Sequence, residues 1–380
     1  MKKVLLTATV QSHICQFHKP LVEMLREKGY VIHVAAKNNL EEKKGLKLDF
    51  VDKIFDVPFS RSPKSLDNFK AYKILKKIIE EEKYYIIHCN TPMGGIVTRL
   101  AAWKSRKMGT KVFYTAHGFH FYKGAPKINW IIYYPIEKIF SKITDQIITI
   151  NHEDFELANK KFFCKTSYIH GVGVDNERYH PVTLEKKYDL KIELGLSHFS
   201  NIILCIGELL PNKNQRMIIE AMKNIVKEYP RCLLLLAGNG PMKDSLEKQV
   251  KNLKLEQNVI FLGYCTRLEQ YQSVCDIVVS CSRREGLPLN IVEAMLSANP
   301  VVATKNRGHC ELIDHGETGY LIDIDDVNEL YYYIDILLSN NDKLSGIGNN
   351  AYHFAKSYSS GKVKKELEKI YFDILEGEVK

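Results

Sequence analysis

Two carboxylates with seven residues between them occupy the stretch Arg284-Glu285-Gly286-Leu287-Pro288-Leu289-Asn290-Ile291-Val292-Glu293-Ala294-Met295. Proline suits the first position of a helix, so Pro288 predicts that Glu285 lies just ahead of a helix and Glu293 about a turn and a half inside it. Free N–H groups and the helix dipole favour an anion at such a helix start. Carboxylates beside it can accept hydrogen bonds from hydroxyl groups. A ligand with an anion and several hydroxyls, such as a nucleotide sugar, fits this stretch.

The residues in front of this stretch predict its place in the fold. Asp276–Ser280 reads as a buried strand that ends shortly before Glu285. A strand, a glycine-containing turn and a helix, in this order, form the ligand-binding edge of doubly wound parallel sheets. Glutamates at this spacing also occur by chance near helix starts, and the preceding strand is what favours the binding interpretation.

Apolar strand-like runs alternate with helix-like runs along the chain, which predicts mainly parallel sheets covered on both faces. The predicted strands are Lys3–Thr9, Val31–Ala36, Tyr85–Cys89, Lys111–Thr115, Gln146–Ile150, Ile202–Ile206, Cys232–Ala237, Val259–Leu262, Ile277–Ser280 and Val301–Ala303. The predicted helices of the first half are Gln16–Lys28, Leu66–Glu82, Pro92–Lys107 and Ile128–Lys142. The fold class is therefore α/β, with two doubly wound Rossmann-like domains and a ligand cleft expected between them.

The predicted domain boundaries follow from a break in this alternation. Residues 1–174 form a first Rossmann-like domain, residues 175–198 a linker, and residues 199–355 a second Rossmann-like domain. Residues 356–380 contain a charged amphipathic helix, Ser360–Glu376, which we expect to pack back toward the first domain.

The composition is that of a globular protein, with 45% of the 380 residues hydrophobic and 26% charged. No apolar run approaches the ~20 residues that a membrane span requires. The apolar run at the start breaks at Gln11-Ser12-His13, which favours a first strand over a signal peptide. The nine cysteines form no C-x-x-C pair, so reduced thiols are expected, and a disulfide framework or zinc site is not.

Positive charge is concentrated in the first part of the chain. Residues 1–150 contain 26 Lys and Arg against 13 Asp and Glu, and because the whole chain has 54 against 45, the remainder has 28 against 32. This asymmetry indicates an anionic partner for the first half, either nucleic acid, an acidic membrane surface or a phosphorylated lipid, with simple solubility as the alternative. The sequence has no helix-turn-helix, zinc-finger or RNP-like pattern, so we expect no nucleic acid partner.

Further loops of the second half are candidates for the same ligand. Lys213 lies in the loop Gly207–Asn214 before a helix, where a cation would face a phosphate group. The turn Ala237-Gly238-Asn239-Gly240-Pro241 follows a strand, but it lacks the complete G-x-G-x-x-G spacing of a dinucleotide site. Arg307 and His309 either face the predicted cleft or lie on the surface of a loop.

In the first half, His117 follows the predicted strand Lys111–Thr115 and is well placed to meet a ligand, although a lone histidine is more often a structural residue. The loop Thr9–His13 after the first strand is the other candidate. The segment Ile128–Phe140 is rich in aromatic residues and flanked by lysines, a composition typical of a helix at a membrane surface. A helix packed on the sheet fits this segment equally well.

Four motifs together resemble family 4 of the retaining glycosyltransferases, which have the two-domain GT-B fold. They are His88-Cys89-Asn90-Thr91-Pro92, Tyr114-Thr115-Ala116-His117-Gly118-Phe119-His120, Ile169-His170-Gly171-Val172-Gly173-Val174-Asp175 and Arg284-Glu285-Gly286-Leu287-Pro288. The resemblance runs over nearly the whole chain and is closest to bacterial capsular and exopolysaccharide glycosyltransferases. It implies transfer of a hexose or N-acetylhexosamine from a nucleoside-diphosphate sugar, expected to be a UDP-sugar, to a lipid-linked glycan in capsule, exopolysaccharide or O-antigen synthesis.

The resemblance also implies roles for individual residues. Glu285 would contact the donor hexose, Glu293 would bind the ribose hydroxyls, and Lys213 would neutralise the diphosphate. His117 would approach the transferred sugar and is, with Glu285, a catalytic candidate. The further donor-binding candidates are Gly207, Asn239, Gly286, Leu287, Pro288 and Arg307, and the acceptor-side candidates are Gln11, His13, His120 and Lys123.

The implied mechanism is front-face substitution with retention at the anomeric carbon, in which a donor phosphate oxygen takes the proton of the acceptor hydroxyl. Glu285 would orient the donor and stabilise positive charge. No cofactor and no metal ion are expected, because positive side chains and helix dipoles would stabilise the leaving nucleoside diphosphate. The expected partners are the nucleotide-sugar donor, a polyprenyl-diphosphate-linked glycan acceptor and an anionic inner-leaflet membrane surface, with the protein in the cytoplasm at the inner face of the cell membrane.

Two positions depart from the family pattern. Relatives often carry an arginine after the glycine of the Gly207 loop, where this chain has Glu208. Either Arg283 or Arg307 would supply the missing cation, or the donor phosphate would sit differently. The loop after the first strand contains Gln11-Ser12-His13 where many relatives have glycines.

A GT-B sugar-nucleotide epimerase, which would need no acceptor, is the alternative activity.

Overall fold

The computed structural model describes residues 1–41 and 45–375. The chain forms two compact units, Met1–Gly173 with Ser360–Lys380, and Val174–Ser359. Each unit is built around one sheet whose neighbouring strands run parallel. This agrees with the α/β class predicted from the alternation of strand-like and helix-like runs.

Among the described residues, the first unit contains seven strands and the second contains six. The strands of the first unit are β1 (Lys3–Val10), β2 (Val31–Lys37), β3 (Lys53–Asp56), β4 (Ile86–Asn90), β5 (Lys111–Ala116), β6 (Gln146–Thr149) and β7 (Lys165–Tyr168). Those of the second unit are β8 (Asn201–Ile206), β9 (Cys232–Ala237), β10 (Val259–Gly263), β11 (Ile277–Ser280), β12 (Val301–Thr304) and β13 (Tyr320–Ile322). The sheet orders are β3-β2-β1-β4-β5-β6-β7 and β10-β9-β8-β11-β12-β13. Each order reverses once, between β1 and β4 and between β8 and β11, as in doubly wound sheets.

Helices lie between these strands and after the last of them. They are α1 (Gln11–Phe17), α2 (Lys19–Glu27), α3 (Asp67–Glu82), α4 (Pro92–Lys107), α5 (Lys127–Phe140), α6 (His152–Lys161), α7 (Leu184–Glu193), α8 (Gln215–Glu228), α9 (Lys243–Asn252), α10 (Leu268–Val274), α11 (Leu289–Leu296), α12 (Arg307–Leu312), α13 (Val327–Leu338), α14 (Asn341–Ala355) and α15 (Ser360–Leu375). Side-chain caps explain several starts, since Asn151 accepts the backbone N–H of Asp154 at α6 and Asn306 accepts that of His309 at α12.

Burial on both faces of the sheets explains why the strands are continuous apolar runs. In β8, Ile202 and Leu204 pack into one hydrophobic core, and Ile203 and Cys205 pack into another. Successive side chains of a strand point to opposite faces, so a sheet that is covered on both sides needs an apolar residue at every position.

The predicted elements and the observed ones differ where the sequence signal is weak. Strands β3 and β7 at the edges of the first sheet were not predicted, because they are short and mostly exposed or half-buried. Strand β13 was also not predicted, because it has only three residues. The predicted helix Gln16–Lys28 covers only the end of α1 and all of α2, which meet at His18. The predicted loop Thr9–His13 is wrong, because these residues form the end of β1 and the first turn of α1. Pro20 lies at the start of α2, and because proline donates no N–H it favours a helix start over a helix interior.

The stretch predicted as a linker, residues 175–198, belongs to the second unit. It contains α7, and its residues Tyr179, Leu190 and Leu196 are buried in a core of that unit. These apolar side chains make the stretch part of the packed fold rather than a bare connector.

The last helix, α15, belongs to the first unit. The buried hydroxyl of Tyr371 lies 2.6 Å from Nδ1 of His88, and Oε1 of Glu366 lies 2.7 Å from Nδ1 of His170. The predicted end of this helix at Glu376 lies outside the described residues. The contacts join α15 to the strand β4 and to the segment that follows β7.

Candidate active site

A salt bridge joins two of the predicted donor residues, Lys213 and Glu285. Lys213 lies in the loop after β8 and Glu285 in the loop after β11, and Nζ of the lysine is 2.6 Å from Oε1 of the glutamate. The two side chains are only 23% and 15% exposed. Because β8 and β11 are the neighbours at which the strand order reverses, the pair lies where doubly wound sheets bind ligands.

The helix behind Glu285 starts one residue later than predicted. Pro288 has an extended backbone, with φ −79° and ψ 105°, and serves as the cap ahead of α11. Its carbonyl oxygen accepts the N–H of Ile291 at 3.1 Å. Gly286 and Leu287 are half-buried in the loop just ahead of the helix. The loop residues Gly286 and Leu287 and the start of α11 thus lie together, as the predicted anion site requires.

Glycines allow the loops at this edge to touch through their backbones. A Cβ on Gly308, in α12, would lie 2.8 Å from both Cβ of Glu285 and the carbonyl oxygen of Gly286. A Cβ on Gly238, after β9, would lie 2.0 Å from the carbonyl oxygen of Gly207. The positions of the Glu285 and Gly207 loops thus depend on the absence of side chains opposite them.

His309 is a buried neighbour of the Lys213–Glu285 pair. Its Nδ1 lies 2.6 Å from the carbonyl oxygen of Thr304 and 2.8 Å from the side-chain amide nitrogen of Asn306. Burial lowers the pKa of His309 to about 4, with Thr304 and Glu285 opposing this shift and Lys213 adding to it. From the sequence, His309 could either face the predicted cleft or lie on the surface of a loop. The structure instead places it in the interior, as a neutral imidazole.

Glu293 lies in α11 and has a different set of charged neighbours. Burial raises the pKa of its carboxyl to about 7, an effect that Arg178 opposes and Glu269 reinforces. Nη2 of Arg178 lies 2.6 Å from Oε2 of Glu269. Neither Arg178 nor Glu269 was predicted as a site residue, because nothing in the local sequence relates them to Glu293.

The two arginines considered in place of the missing loop cation differ in their surroundings. Nη2 of Arg283 lies 2.6 Å from Oδ1 of Asp325, so the charge of this arginine is already compensated. Arg307 is the half-buried first residue of α12 and directly precedes Gly308, which touches the Glu285 loop.

Asn239 lies in the loop after β9. Its carbonyl oxygen accepts the N–H of Leu209 at 2.9 Å, which ties this loop to the one after β8. Its side-chain oxygen lies beside Gly263 at the end of β10. Glu208, the departure from the family pattern, is exposed.

Three histidines of the first unit converge near the carboxyl ends of β1 and β5. Suitable nitrogens of His13, His18 and His117 all lie within 4.8 Å of one another. Nε2 of His13 is 3.2 Å from Nε2 of His117, which is also 3.4 Å from Oδ1 of Asn90. Burial lowers the pKa of His117 to about 4 and those of His13 and His18 well below the ordinary value. Such a group of neutral imidazoles can hold a metal ion. His18 was not predicted as a site residue, because nothing in its local sequence relates it to His117.

A cavity of about 560 Å³ adjoins His13 in the first unit. His120 and the cation Arg61 also line it. Its apolar lining includes Phe17, Met93, Ile96, Phe119, Phe121, Ile132, Tyr133 and Ile136.

Two of the four acceptor-side candidates, Gln11 and Lys123, are not among the described lining residues of this cavity. Gln11 is buried, with Nε2 3.5 Å from the carbonyl oxygen of Ala36, and Lys123 is exposed.

Helix α5 has an anchored side and an exposed side. Glu137 is buried, and its Oε2 accepts from Nη2 of Arg99 at 2.9 Å. Trp130 and Tyr134 pack against an aromatic core. The exposed apolar residues of the helix are Ile128, Ile131, Ile132, Tyr133 and Ile139. The inward packing of Trp130 and Tyr134 agrees with the alternative of a helix packed on the fold, whereas membrane contact by the exposed isoleucines stays a prediction. No helix in the described part of the chain is long and apolar enough to cross a membrane.

Comparison with known proteins decides the family. The chain matches the family models Glycosyl transferase 4-like over residues 3–151 and Glycosyl transferases group 1 over residues 188–354. It is 38% identical to the putative glycosyltransferase EpsD of Bacillus subtilis (strain 168) over 372 residues, which is 97% of this chain and 96% of that protein. The chain belongs to glycosyltransferase family 4.

A further relative of this glycosyltransferase is the UDP-Gal:alpha-D-GlcNAc-diphosphoundecaprenol alpha-1,3-galactosyltransferase of Escherichia coli. The two are 28% identical over 317 residues, which is 80% of this chain and 79% of that protein. Both named relatives are transferases, which favours transfer over sugar-nucleotide epimerisation.

The fold is shared with a solved structure. The crystal structure of HepE from Anabaena in complex with UDP has a TM-score of 0.78 and 22% identity, and the match covers 98% of this glycosyltransferase and 99% of that chain. At this identity the likeness concerns the fold alone. It confirms the predicted GT-B class.

Proposed function

We propose that this glycosyltransferase moves a hexose or N-acetylhexosamine, with retention at the anomeric carbon, from a UDP-sugar to a lipid-linked glycan in capsule, exopolysaccharide or O-antigen synthesis. The observation that carries the donor half of the proposal is the pair of Lys213 and Glu285 ahead of α11. The Anabaena protein of the same fold was crystallised in complex with UDP, which supports a uridine nucleotide.

The pair suits a sugar diphosphate because the two groups can part when the ligand binds. The ammonium of Lys213 turns to the diphosphate, joined by the N–H groups of Gly286 and Leu287 and by Arg307. Glu285 is then free to accept hydrogen bonds from the hexose, and Glu293 from the ribose. In this arrangement the donor diphosphate needs no metal ion and no cofactor.

The proposed chemistry is front-face substitution. The acceptor hydroxyl attacks the anomeric carbon on the side of the leaving diphosphate, the bond from that carbon to the diphosphate oxygen breaks, and a phosphate oxygen takes the hydroxyl proton. Glu285 stabilises the positive charge that develops on the sugar. The role of His117, contact with the transferred sugar, belongs to the same proposal.

We further propose that the acceptor is a polyprenyl-diphosphate-linked glycan, reached at the anionic inner face of the cell membrane from the cytoplasm. The name of the Escherichia coli relative includes a diphosphoundecaprenol acceptor. The cavity beside His13 pairs an apolar lining with Arg61, which suits a lipid next to a diphosphate. Ile132 and Tyr133 line this cavity and are also exposed on α5, so that an apolar surface leads into it.

Donor binding is tested by thermal or urea unfolding with and without UDP. UDP at about 100 times its dissociation constant should stabilise the protein by about 2.7 kcal/mol. Lys213→Ala should weaken UDP binding by on the order of 10- to 100-fold, because it removes a charge-assisted contact to the diphosphate. Lys251→Ala, at an exposed position of α9, is the control and should bind UDP normally. Absence of any UDP effect on the wild type would contradict the choice of donor.

Transfer itself is tested with Glu285→Ala. Loss of a transition-state contact should reduce turnover on the order of a hundredfold or more. Near-normal transfer by a folded variant would refute the assigned role. Incubation of the wild type with donor alone separates the two activities, since only an epimerase would convert the donor sugar without an acceptor.

A further inference from the structure

We propose that His13, His18 and His117 form a binding site for a divalent transition-metal ion, with Zn²⁺ the expected occupant. The site lies in the first unit, where α1, the break between α1 and α2, and the loop after β5 meet. It goes beyond the proposed transfer reaction, in which the donor diphosphate is held by the second unit without a metal.

The distances suit coordination. Zn–N bonds of 2.0–2.1 Å at tetrahedral angles separate two ligand nitrogens by about 3.3 Å. The Nε2 atoms of His13 and His117 are 3.2 Å apart, and ligand nitrogens of all three histidines lie within 4.8 Å of one another. The ring centroids are 4.5, 5.3 and 5.6 Å apart, so each ring neighbours both others. Side-chain shifts of about 1 Å would close the three nitrogens around one ion.

His18 supplies the second, independent observation. The residue is 4% exposed, and its Nε2 is a buried atom that has no hydrogen-bond partner within the described part of the chain. A buried polar atom without a partner destabilises a protein by about 1–3 kcal/mol and calls for an explanation. A hydrogen bond between His13 and His117 gives their Nε2 atoms a partner but leaves Nε2 of His18 without one. An ion held by all three satisfies it.

The ligand chemistry selects the class of ion. The cluster contains imidazole nitrogens without a carboxylate or thiolate, a set that suits Zn²⁺ and its first-row neighbours and not Mg²⁺ or Ca²⁺. Three protein ligands leave one position for water or another oxygen ligand. Arg61 acts electrostatically on His13, and both line the same cavity, so an anionic oxygen is favoured at that position.

The test uses the full-length protein without a histidine tag. Metal content is measured after purification, the protein is then stripped with a chelator, and Co²⁺ is titrated as the probe. We expect about one metal ion per chain and the visible absorption of tetrahedral Co²⁺, without the charge-transfer band that cysteine ligands would cause. A wild-type protein that carries no zinc and binds no Co²⁺ would overturn the proposal.

Variants locate the ion. His18→Ala and His13→Ala should each weaken Co²⁺ binding at least a hundredfold, since loss of an outer-shell partner alone weakens metal binding 10- to 100-fold. His353→Ala, at an exposed position of α14, is the matched control and should bind Co²⁺ normally. Equal binding by all three variants would place the ion elsewhere and refute the site.

The result is independent of the donor proposal. Stabilisation of each variant by UDP reports on the second unit, whereas Co²⁺ binding reports on the three histidines. If His18→Ala does not fold, the half-buried position His13 still decides the outcome.

Discussion

Replacement of Gly308 by alanine should disable the donor site without changing any charged or polar group. A Cβ at this position would lie 2.8 Å from Cβ of Glu285 and 2.8 Å from the carbonyl oxygen of Gly286. Ordinary van der Waals contacts of a Cβ atom begin near 3.4 Å, so the distance between Gly308 and the Glu285 loop must increase by about 0.6 Å. Both contacted atoms belong to the loop that carries the Glu285 carboxylate, so this loop and α12 must move apart.

The expected size of the effect follows from this displacement. The 2.6 Å contact between Glu285 and Lys213 cannot survive a loop shift of this size unchanged. Misplacement of a reacting group by about 1 Å can reduce catalysis about a hundredfold, so we expect a 10- to 100-fold loss in kcat/KM. Overpacking costs about 1–3 kcal/mol, whereas alanine gains about 1 kcal/mol over glycine in a helix. The net loss of stability should therefore stay within about 2 kcal/mol, and the variant should fold.

Gly346→Ala is the matched control. Gly346 also lies in a helix, α14, but a Cβ there would have no atom within 4 Å. This variant should keep full activity and be slightly more stable in urea unfolding, since only the helix preference changes. Initial rates of sugar transfer and UDP affinity are measured for both variants. Wild-type kcat/KM and UDP affinity in a folded Gly308→Ala protein would refute the argument that backbone contact sets the loop position.

Other changes test other parts of the molecule. The pKa of Glu293 is raised from 4.5 to about 7, so between these pH values the folded protein holds a proton that the unfolded chain releases. Urea unfolding should show stability falling by up to about 3 kcal/mol as pH rises through this window, and Glu293→Gln should lack this loss. Ile131→Glu, at a 69% exposed position of α5, should reduce flotation with anionic liposomes, whereas Ile192→Glu, 52% exposed in α7, should not. Arg99→Met should destabilise the protein by about 3–5 kcal/mol in urea unfolding, because it leaves the buried carboxylate of Glu137 without its partner; an unchanged midpoint would contradict this.

The sequence was sufficient for the parts of the molecule that depend on local pattern. Apolar runs such as Cys232–Ala237 predict strands that are buried on both faces, and the structure has this strand with the same bounds. The start of the helix after Glu285 was predicted to within one residue, because proline and the apolar run behind it act locally. The family motifs likewise lie in continuous stretches, and the comparisons confirm the family that they indicated.

Only the tertiary structure decided which of these stretches meet. Lys213 reaches Glu285 because β8 and β11 are neighbours, and strand order is not contained in the periodicity of either strand. Gly308 matters because its backbone touches the Glu285 loop, and His18 because it meets His13 of α1 and His117 of the loop after β5. Periodicity and propensity act over a few residues, whereas proximity and burial are set by the packing of distant segments, so these sites become visible only in the folded chain.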